Sequence, residues 1–166
     1  MRNARVLNVA ARATHMMGAE ASGAWAPEQA LAWEGLLEVS RLLRRGAESV
    51  LERDELSVSM LGILGRLLLA ERRTLRQTEL AEAMGLSLSR VSRVLDLLER
   101  RALVERKTCP TDARASNVTL TAGGARRATR AQAQLFEYVQ RAYYDRLSAD
   151  ERSVLSAVFT RLLAGV

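Results

Sequence analysis

Cysteine, proline and aromatic residues are all scarce in this sequence. Cys109 is the single cysteine, which excludes a disulfide framework within the chain and fits a reducing cytoplasm. With only two prolines, long stretches contain no helix breaker, and this favours a mostly α-helical protein. Aromatic residues make up 4% of the chain and hydrophobic residues 48%, so we expect a core of Leu, Val, Ala and Met.

Long apolar runs and motifs of catalysis are also missing. No stretch approaches the ~20 uncharged apolar residues of a transmembrane helix, and Arg5 and Arg12 interrupt a poor secretory signal, so we expect a cytoplasmic protein. His15 and Cys109 lie far apart in the sequence, which predicts neither a metal site nor a cofactor. Without a Gly-rich phosphate loop or a nucleophile motif, an enzyme is not expected.

The charge of the chain is basic, and almost all of the positive charge is arginine. The formal net charge is +6, and Lys107 is the only lysine among 25 basic residues. A basic protein suits a polyanion such as nucleic acid, and arginine makes bidentate contacts with phosphate and guanine. A GC-rich genome would enrich arginine too, so the composition supports nucleic-acid binding without establishing it.

The N-terminal part of the chain is predicted to be an arm followed by two helices. Residues 1–26 form the arm, which is interpreted either as a flexible tail or as a segment that packs against a partner or DNA. Pro27 suits the first turn of a long amphipathic helix that is predicted to end near Leu56. Ser57 is then the expected cap of a second, apolar helix.

Two further helices are predicted at the C-terminal end. Thr121 is placed to cap a long helix running to about Leu147. Ser148 and Glu151 have the spacing of a capping box, which predicts the start of the last helix. The apolar face of that helix is predicted to point inward, and it consists of Val154, Leu155, Val158, Phe159, Leu162 and Leu163.

The spacing of small and apolar residues over Gln77–Leu98 is that of a helix-turn-helix. Ala81 allows two helices to approach, and Gly85, four residues later, suits a sharp turn with positive φ. Val91 and Val94 then follow at positions that pack back on the first helix. Two short helices that cross steeply need these three elements, a small contact residue, a turn glycine and an apolar contact.

The second helix of this motif has an apolar and a polar face. Ser87 is the expected N-cap. The N-terminal residues of a recognition helix face base edges in the major groove, where arginine pairs with guanine and serine bonds to phosphates or bases. An ordinary solvated face of a helical hairpin is the alternative interpretation. The inward stripe is predicted to be Leu88, Val91, Leu95 and Leu98, and the outward face Ser89, Arg90, Ser92 and Arg93.

A β-hairpin is predicted directly after this helix. Val104–Thr108 and Ser116–Leu120 alternate between apolar and polar residues, which would form a wing. Arg114 near its tip suits a narrow, A·T-rich minor groove, and Asp112 is placed to orient the guanidinium. A plain turn in which Asp112 bonds its own backbone is the alternative. The residues predicted to contact DNA are Ser87, Ser89, Arg90, Ser92, Arg93, Arg106, Lys107, Asp112 and Arg114.

Five segments occur in the order found in one protein family: Leu75–Ala81, Leu86–Val94, Leu98–Arg106, Asp112–Ala115, and Val118–Thr121 followed by Gly124. Together they resemble the MarR (multiple antibiotic resistance regulator) family of bacterial transcription regulators with a winged helix-turn-helix. One segment alone would be weak, whereas all of them in order between the expected helices are specific. The sequence departs from the pattern at Leu88, where a proline or small residue is common, and in its longer N-terminal arm.

The resemblance implies a mostly α fold with a small β wing that works as a homodimer. Residues 27–56 and 121–166 would form a helical dimerisation region, and residues 57–120 the winged helix-turn-helix. The implied function is sequence-specific binding of a pseudo-palindromic DNA operator, with repression favoured over activation. A winged-helix module for protein contacts and a non-specific DNA-binding protein are the alternatives.

The resemblance also implies regulation by a ligand. Many members lose DNA affinity when a small aromatic or phenolic compound binds between the dimerisation helices and the DNA-binding domain. A core or interface role is the alternative for each candidate. Cys109, next to Lys107 and Pro110, is interpreted either as a redox-sensitive thiol or as an incidental exposed one. The candidate effector-pocket residues are Trp25, Trp33, Arg44, Met60 and Arg66.

Overall fold

The computed structural model describes Val9, residues 26–109 and residues 112–165, and it describes side chains at Val9, 26–107 and 116–165. The predicted N-terminal arm therefore lies outside the described residues, apart from Val9 and Ala26. The chain divides into two compact units, residues 1–46 and residues 47–166. None of the described helices is both long enough and apolar enough to cross a bilayer.

The first long helix, α1, spans Pro27–Leu51 and begins at the predicted proline. It ends before Leu56, because a 3-10 turn at Glu52–Asp54 follows and Glu55 adopts a left-handed conformation with φ 54°. The apolar pattern continues to Leu56, but the α-helical backbone ends at Leu51, so the predicted end was wrong by one turn. Several large apolar side chains of α1 are 44–48% exposed: Leu31, Trp33, Leu36, Leu37 and Val39.

The elements of the second unit follow in the predicted order. A 3-10 turn at Glu71–Arg73 precedes a short strand that the sequence did not predict. The elements are α2 (Val58–Leu69), β1 (Thr74–Arg76), α3 (Gln77–Met84), α4 (Leu88–Arg100), β2 (Val104–Cys109), β3 (Asp112–Leu120), α5 (Ala122–Ala142) and α6 (Ala149–Leu163). The fold is thus the predicted mostly α fold with a winged helix-turn-helix.

The core of this unit is aliphatic, as the composition predicts. Ser57 caps α2 by accepting a hydrogen bond from the backbone N–H of Met60, at 3.1 Å. One face of α2 then packs against α3, α4, the sheet and α5. The side chains with no exposed surface are Ile63, Leu64, Leu67, Leu80, Val91, Leu95, Leu98, Val118, Ala128 and Ala131, together with Leu51 at the end of α1.

The sheet has three antiparallel strands in the order β1-β3-β2. Strand β1 is too short to show an alternation in the sequence, and its pairing with β3 is what defines it. Thr74 lies opposite Thr119, and their hydroxyl oxygens are 2.9 Å apart. In β2 and β3 the register shifts between Thr108 and Cys109, close to the wing tip.

The turn after α1 is fastened to α5 by a buried carboxylate. The side chain of Asp54 is 4% exposed, and its Oδ1 accepts hydrogen bonds from the guanidinium of Arg130. Arg127 of the same helix donates from Nη1 to the carbonyl oxygen of Asp54 at 2.7 Å. A buried carboxylate needs such donors, because its desolvation is costly without them.

The C-terminal helices differ from the prediction in two respects. Helix α5 ends at Ala142, followed by a 3-10 turn at Tyr144–Arg146, so the predicted extension to about Leu147 was wrong. The capping box of α6 is present, with Ser148 Oγ accepting from Glu151 N–H at 3.2 Å. The predicted inward face of α6 is largely exposed, because no other described element of the second unit covers it: Val154, Phe159, Leu162 and Leu163 are 38–76% exposed.

The first turn of α5 packs against the backbone that enters the wing. Thr121 caps α5, and its Oγ1 donates to the carbonyl oxygens of Ala102 and Leu103. A Cβ at Gly124 would overlap the carbonyl oxygen of Leu103, whereas a Cβ at Gly123 would meet no atom closer than 3.6 Å. Only Gly124 is therefore required for this close approach.

Gly124→Ala is expected to lower the free energy of unfolding by at least ~2 kcal/mol, because the backbone of Leu103 must move to admit a methyl group. The matched variant Gly123→Ala should change it by no more than about 1 kcal/mol, in the stabilising direction that alanine favours in a helix. Urea denaturation at equal protein concentration measures both. Equal stabilities of the two variants would contradict the close packing.

Candidate nucleic-acid interface

The turn between α3 and α4 fixes the angle at which α4 leaves the core. Gly85 has φ +61°, and its N–H donates to the carbonyl oxygen of Glu82 at 3.0 Å. The N–H of Leu86 donates to Ala81 at 3.0 Å and closes the turn. A side chain at position 85 would have room but would hold a left-handed backbone, which L residues rarely adopt. The predicted helix-turn-helix is confirmed.

The predicted polar residues lie together at the N-terminal end of α4. Ser87 accepts a hydrogen bond from Arg90 N–H at 3.4 Å, and its Oγ lies 3.2 Å from that of Ser89. Ser87, Ser89, Arg90 and Arg93 are exposed and Ser92 is half-buried. The opposite side of the helix is buried through Val91, Leu95 and Leu98. We call the solvent-facing side chains of this turn, Ser87, Leu88, Ser89, Arg90, Ser92 and Arg93, the recognition surface.

Leu88 is a correction to the predicted inward stripe. Its side chain is 49% exposed, whereas the other three members of the stripe have no exposed surface. Side chains in a helix point toward its N-terminus, so the side chain of the first residue extends past the helix and not over a packed turn. The apolar period of a sequence indicates toward which side of a helix a residue points. It does not indicate how far along the helix the neighbouring elements extend.

The alternation of β2 separates Arg106 from Lys107. Lys107 lies opposite Asn117, and Asn117 lies opposite Arg76 on β1, so these three side chains share one face of the sheet. Arg76 and Lys107 are exposed on that face and Asn117 is half-buried. Arg76 was not among the predicted DNA contacts, because only the pairing of the unpredicted strand β1 brings it beside Lys107. These three residues are called the polar row.

Arg106 lies on the other face of the sheet, with Val118, and its guanidinium contacts α4. Nη2 is 2.6 Å from Glu99 Oε2 and 2.6 Å from Asp96 Oδ1, and Nε donates to Glu99 Oε2 at 2.9 Å. The backbone N–H of Arg106 donates to Glu99 Oε1 at 3.1 Å. The side chain predicted to contact DNA thus fastens the wing to the recognition helix, and we call this set the wing clamp.

The hydrogen bonds of the wing clamp shift the pKa values of Glu99 and Arg106. The side-chain hydrogen bond from Arg106 lowers the pKa of Glu99, against a smaller opposing effect of burial. The same hydrogen bond raises the pKa of Arg106, with a further contribution from Asp96. Both groups are therefore charged at neutral pH, and the clamp is lost only in acid.

The remaining predicted site residues fall in different parts of the chain. Among the effector candidates, Trp25 lies outside the described residues, and Trp33 and Arg44 lie on α1 in the first unit. Met60 is 5% exposed in the core of the second unit. Arg66 donates from Nη2 to the carbonyl oxygen of Ala83 at 2.5 Å and from Nη1 to Gly62 at 3.2 Å. The side chains of Asp112, Arg114 and Cys109 lie outside the described part of the chain.

Arg106→Gln is expected to lower the free energy of unfolding by about 1 kcal/mol at neutral pH, since the clamp is partly exposed and screened by solvent. The folded-state pKa of Glu99 is below its ordinary value of 4.5, so the contribution is present above that value and is lost as the pH falls through the lowered pKa. The difference between wild type and variant should therefore close in acid. Urea denaturation over a pH series measures it, with the exposed Arg100→Gln as control, and a difference independent of pH would exclude the ion pair.

Comparison with known proteins finds this architecture in bacterial regulators. The profile of the MarR family matches residues 56–115. Sco3205, a MarR family transcriptional regulator from Streptomyces coelicolor whose crystal structure is in complex with DNA, is 30% identical to this chain. The alignment covers 85% of this chain and 89% of Sco3205, with a TM-score of 0.79.

Two further crystal structures agree with this match. AbsC, a MarR family transcriptional regulator from Streptomyces coelicolor, is 28% identical over 86% of this chain and 98% of its own, with a TM-score of 0.77. MepR from S. aureus, in a complex with DNA, is 25% identical over 79% of this chain and 95% of its own, with a TM-score of 0.70. With the winged helix-turn-helix, the family profile and the identity to Sco3205 over most of both chains, this chain belongs to the MarR family of transcriptional regulators.

Proposed function

We propose that this chain is a sequence-specific repressor that binds a pseudo-palindromic DNA operator as a homodimer. The recognition surface carries this proposal, because it places serine and arginine side chains in solvent at the N-terminal end of a helix whose other side is buried. That is the part of a recognition helix that meets base edges in the major groove. Sco3205 and MepR, which share the fold, have structures with DNA.

The DNA-binding domain exposes some side chains that suit contacts with bases and others that suit contacts with phosphates. Arg90 and Arg93 are long enough to reach guanine, and Ser87 and Ser89 suit phosphates or bases. The polar row offers Arg76 and Lys107 as phosphate contacts on the face of the sheet opposite Arg106. At the wing tip, Arg114 would enter the minor groove, oriented by Asp112, as the sequence predicts.

Dimerisation is supported by apolar surface that is exposed among the described residues. Val154, Leu162 and Leu163 of α6 are 55–76% exposed, and α1 exposes a further set of large apolar side chains. Monomeric proteins rarely leave so much apolar surface on neighbouring turns of a helix. A dimerisation region of residues 27–56 and 121–166, beside a DNA-binding domain of residues 57–120, would cover it with a second copy. Release by a small aromatic or phenolic effector stays a prediction from the resemblance.

Arg93→Ala is expected to weaken operator binding by ~1–3 kcal/mol while leaving binding to random DNA nearly unchanged, because a base contact is lost and the phosphate contacts remain. The operator is first selected from a random duplex library, and affinities are then measured by fluorescence anisotropy. Arg100→Ala, an exposed arginine at the other end of α4, is the matched control and should stay close to wild type. An equal loss on both DNAs would instead make Arg93 a phosphate contact.

Val154→Glu should raise the dissociation constant of the dimer by at least tenfold, since a charge would be buried in the apolar interface. Operator affinity should fall with it, because a single DNA-binding domain reads only half of the site. Sedimentation measures the oligomeric state, and Ser153→Glu adds the same charge beside it on an exposed polar position of α6 as the control. A dimer of unchanged affinity would place the interface elsewhere.

A further inference from the structure

Leu88 is the one large apolar side chain on the recognition surface. It is the first residue of α4, and it lies between Ser87 and Ser89 with 49% of its side chain exposed. Among the described residues of α3, α4 and the three strands, only Leu97 is another exposed large apolar residue, at 39%, and it lies in the C-terminal half of α4. Leu88 thus places a hydrophobic group where the helix would meet base edges.

The core gives no reason for a leucine at this position. Val91, Leu95 and Leu98 complete the packing of α4 without it, and each has no exposed surface. Ser87 caps the helix through its own hydroxyl, so the cap does not depend on the next side chain either. About half of the Leu88 surface is still exposed to water, next to two serines and an arginine, and remains available for a hydrophobic contact.

We infer that Leu88 contacts the 5-methyl group of a thymine in each half of the operator and so determines specificity at that base pair. The inference rests on the proposed function, since it takes the recognition surface to lie in the major groove. Among the bases, only thymine presents an apolar group there, while every other edge offers hydrogen-bond donors or acceptors. Contact between the leucine and the methyl group removes apolar surface of both from water, whereas contact with a polar edge would leave that edge unpaired.

The polar neighbours of Leu88 limit where this thymine lies. Ser89 and Arg90 follow directly on α4, so their side chains extend from the same N-terminal turn as that of Leu88. In a recognition helix, the residues of this turn contact neighbouring base pairs. The thymine should therefore lie within one or two base pairs of a guanine or phosphate that Arg90 contacts. Relatives with a different residue at this position should lack this preference.

The test replaces single thymines of the selected operator by deoxyuridine, which removes only the 5-methyl group. In one half-site, one such replacement should weaken wild-type binding about fourfold, the equivalent of one buried methyl group. Leu88→Ala removes the contact from both half-sites, so it should lose about sixteenfold in affinity on the unmodified operator. It should also no longer respond to deoxyuridine at that position. Leu97→Ala, an exposed leucine of the same helix, should bind like wild type and keep the response.

Three outcomes would overturn the contact. If Leu88→Ala keeps the full deoxyuridine effect, another residue contacts the methyl group. If wild type responds to deoxyuridine at no position, no methyl group is contacted, although the operator itself stays specific and the proposed function stands. If the library yields no enriched sequence, the proposed function fails together with the contact. Because Leu88 is exposed, the alanine variant is expected to fold, and its urea denaturation midpoint verifies this.

Discussion

Burial of one face of α4 is the constraint on which the rest of the structure depends. Val91, Leu95 and Leu98 have no exposed surface, and each such side chain contributes roughly 1.5–3 kcal/mol through burial. Once that face is packed, the helix cannot rotate, so the serine and arginine side chains of the recognition surface are held toward solvent. Gly85 completes the constraint, since its left-handed backbone sets the direction in which α4 leaves α3. The orientation that DNA recognition needs is therefore present before DNA binds.

The wing and α5 are connected to this fixed helix by short, specific contacts. The wing clamp joins β2 to α4 through Arg106, and the polar row on the opposite face of the sheet keeps its charged side chains in solvent. Strand β3 leads through Thr121 directly into α5, which lies against the carbonyl oxygen of Leu103 at Gly124. In the proposed dimer, the association of two chains would thus set the spacing of the two recognition helices without a flexible linker between them.

Features that depend on a few neighbouring residues were predictable from the sequence, and features that depend on distant contacts were not. A cap or a turn uses hydrogen bonds within about four residues, so the sequence itself contains the cause. The end of α1 and strand β1 arise from packing and pairing with segments far along the chain. The inner position of Arg106 arises from ion pairs with α4, which the alternation of β2 does not show. The exposure of Leu88 and of the α6 face depends on what covers them, which periodicity does not show. The locally determined features that the structure confirms are the caps Ser57, Ser87, Thr121 and Ser148, and the turn at Gly85.

The decisive measurement is the affinity of this chain for its selected operator and for random DNA of equal length at two salt concentrations. We expect the proposed dimer to prefer the operator by at least ~10³ and both affinities to fall steeply with salt, because phosphate contacts contribute to both complexes and base contacts only to one. Equal affinity for the two DNAs at both salt concentrations would contradict the proposed function, since the recognition surface would then carry no sequence preference.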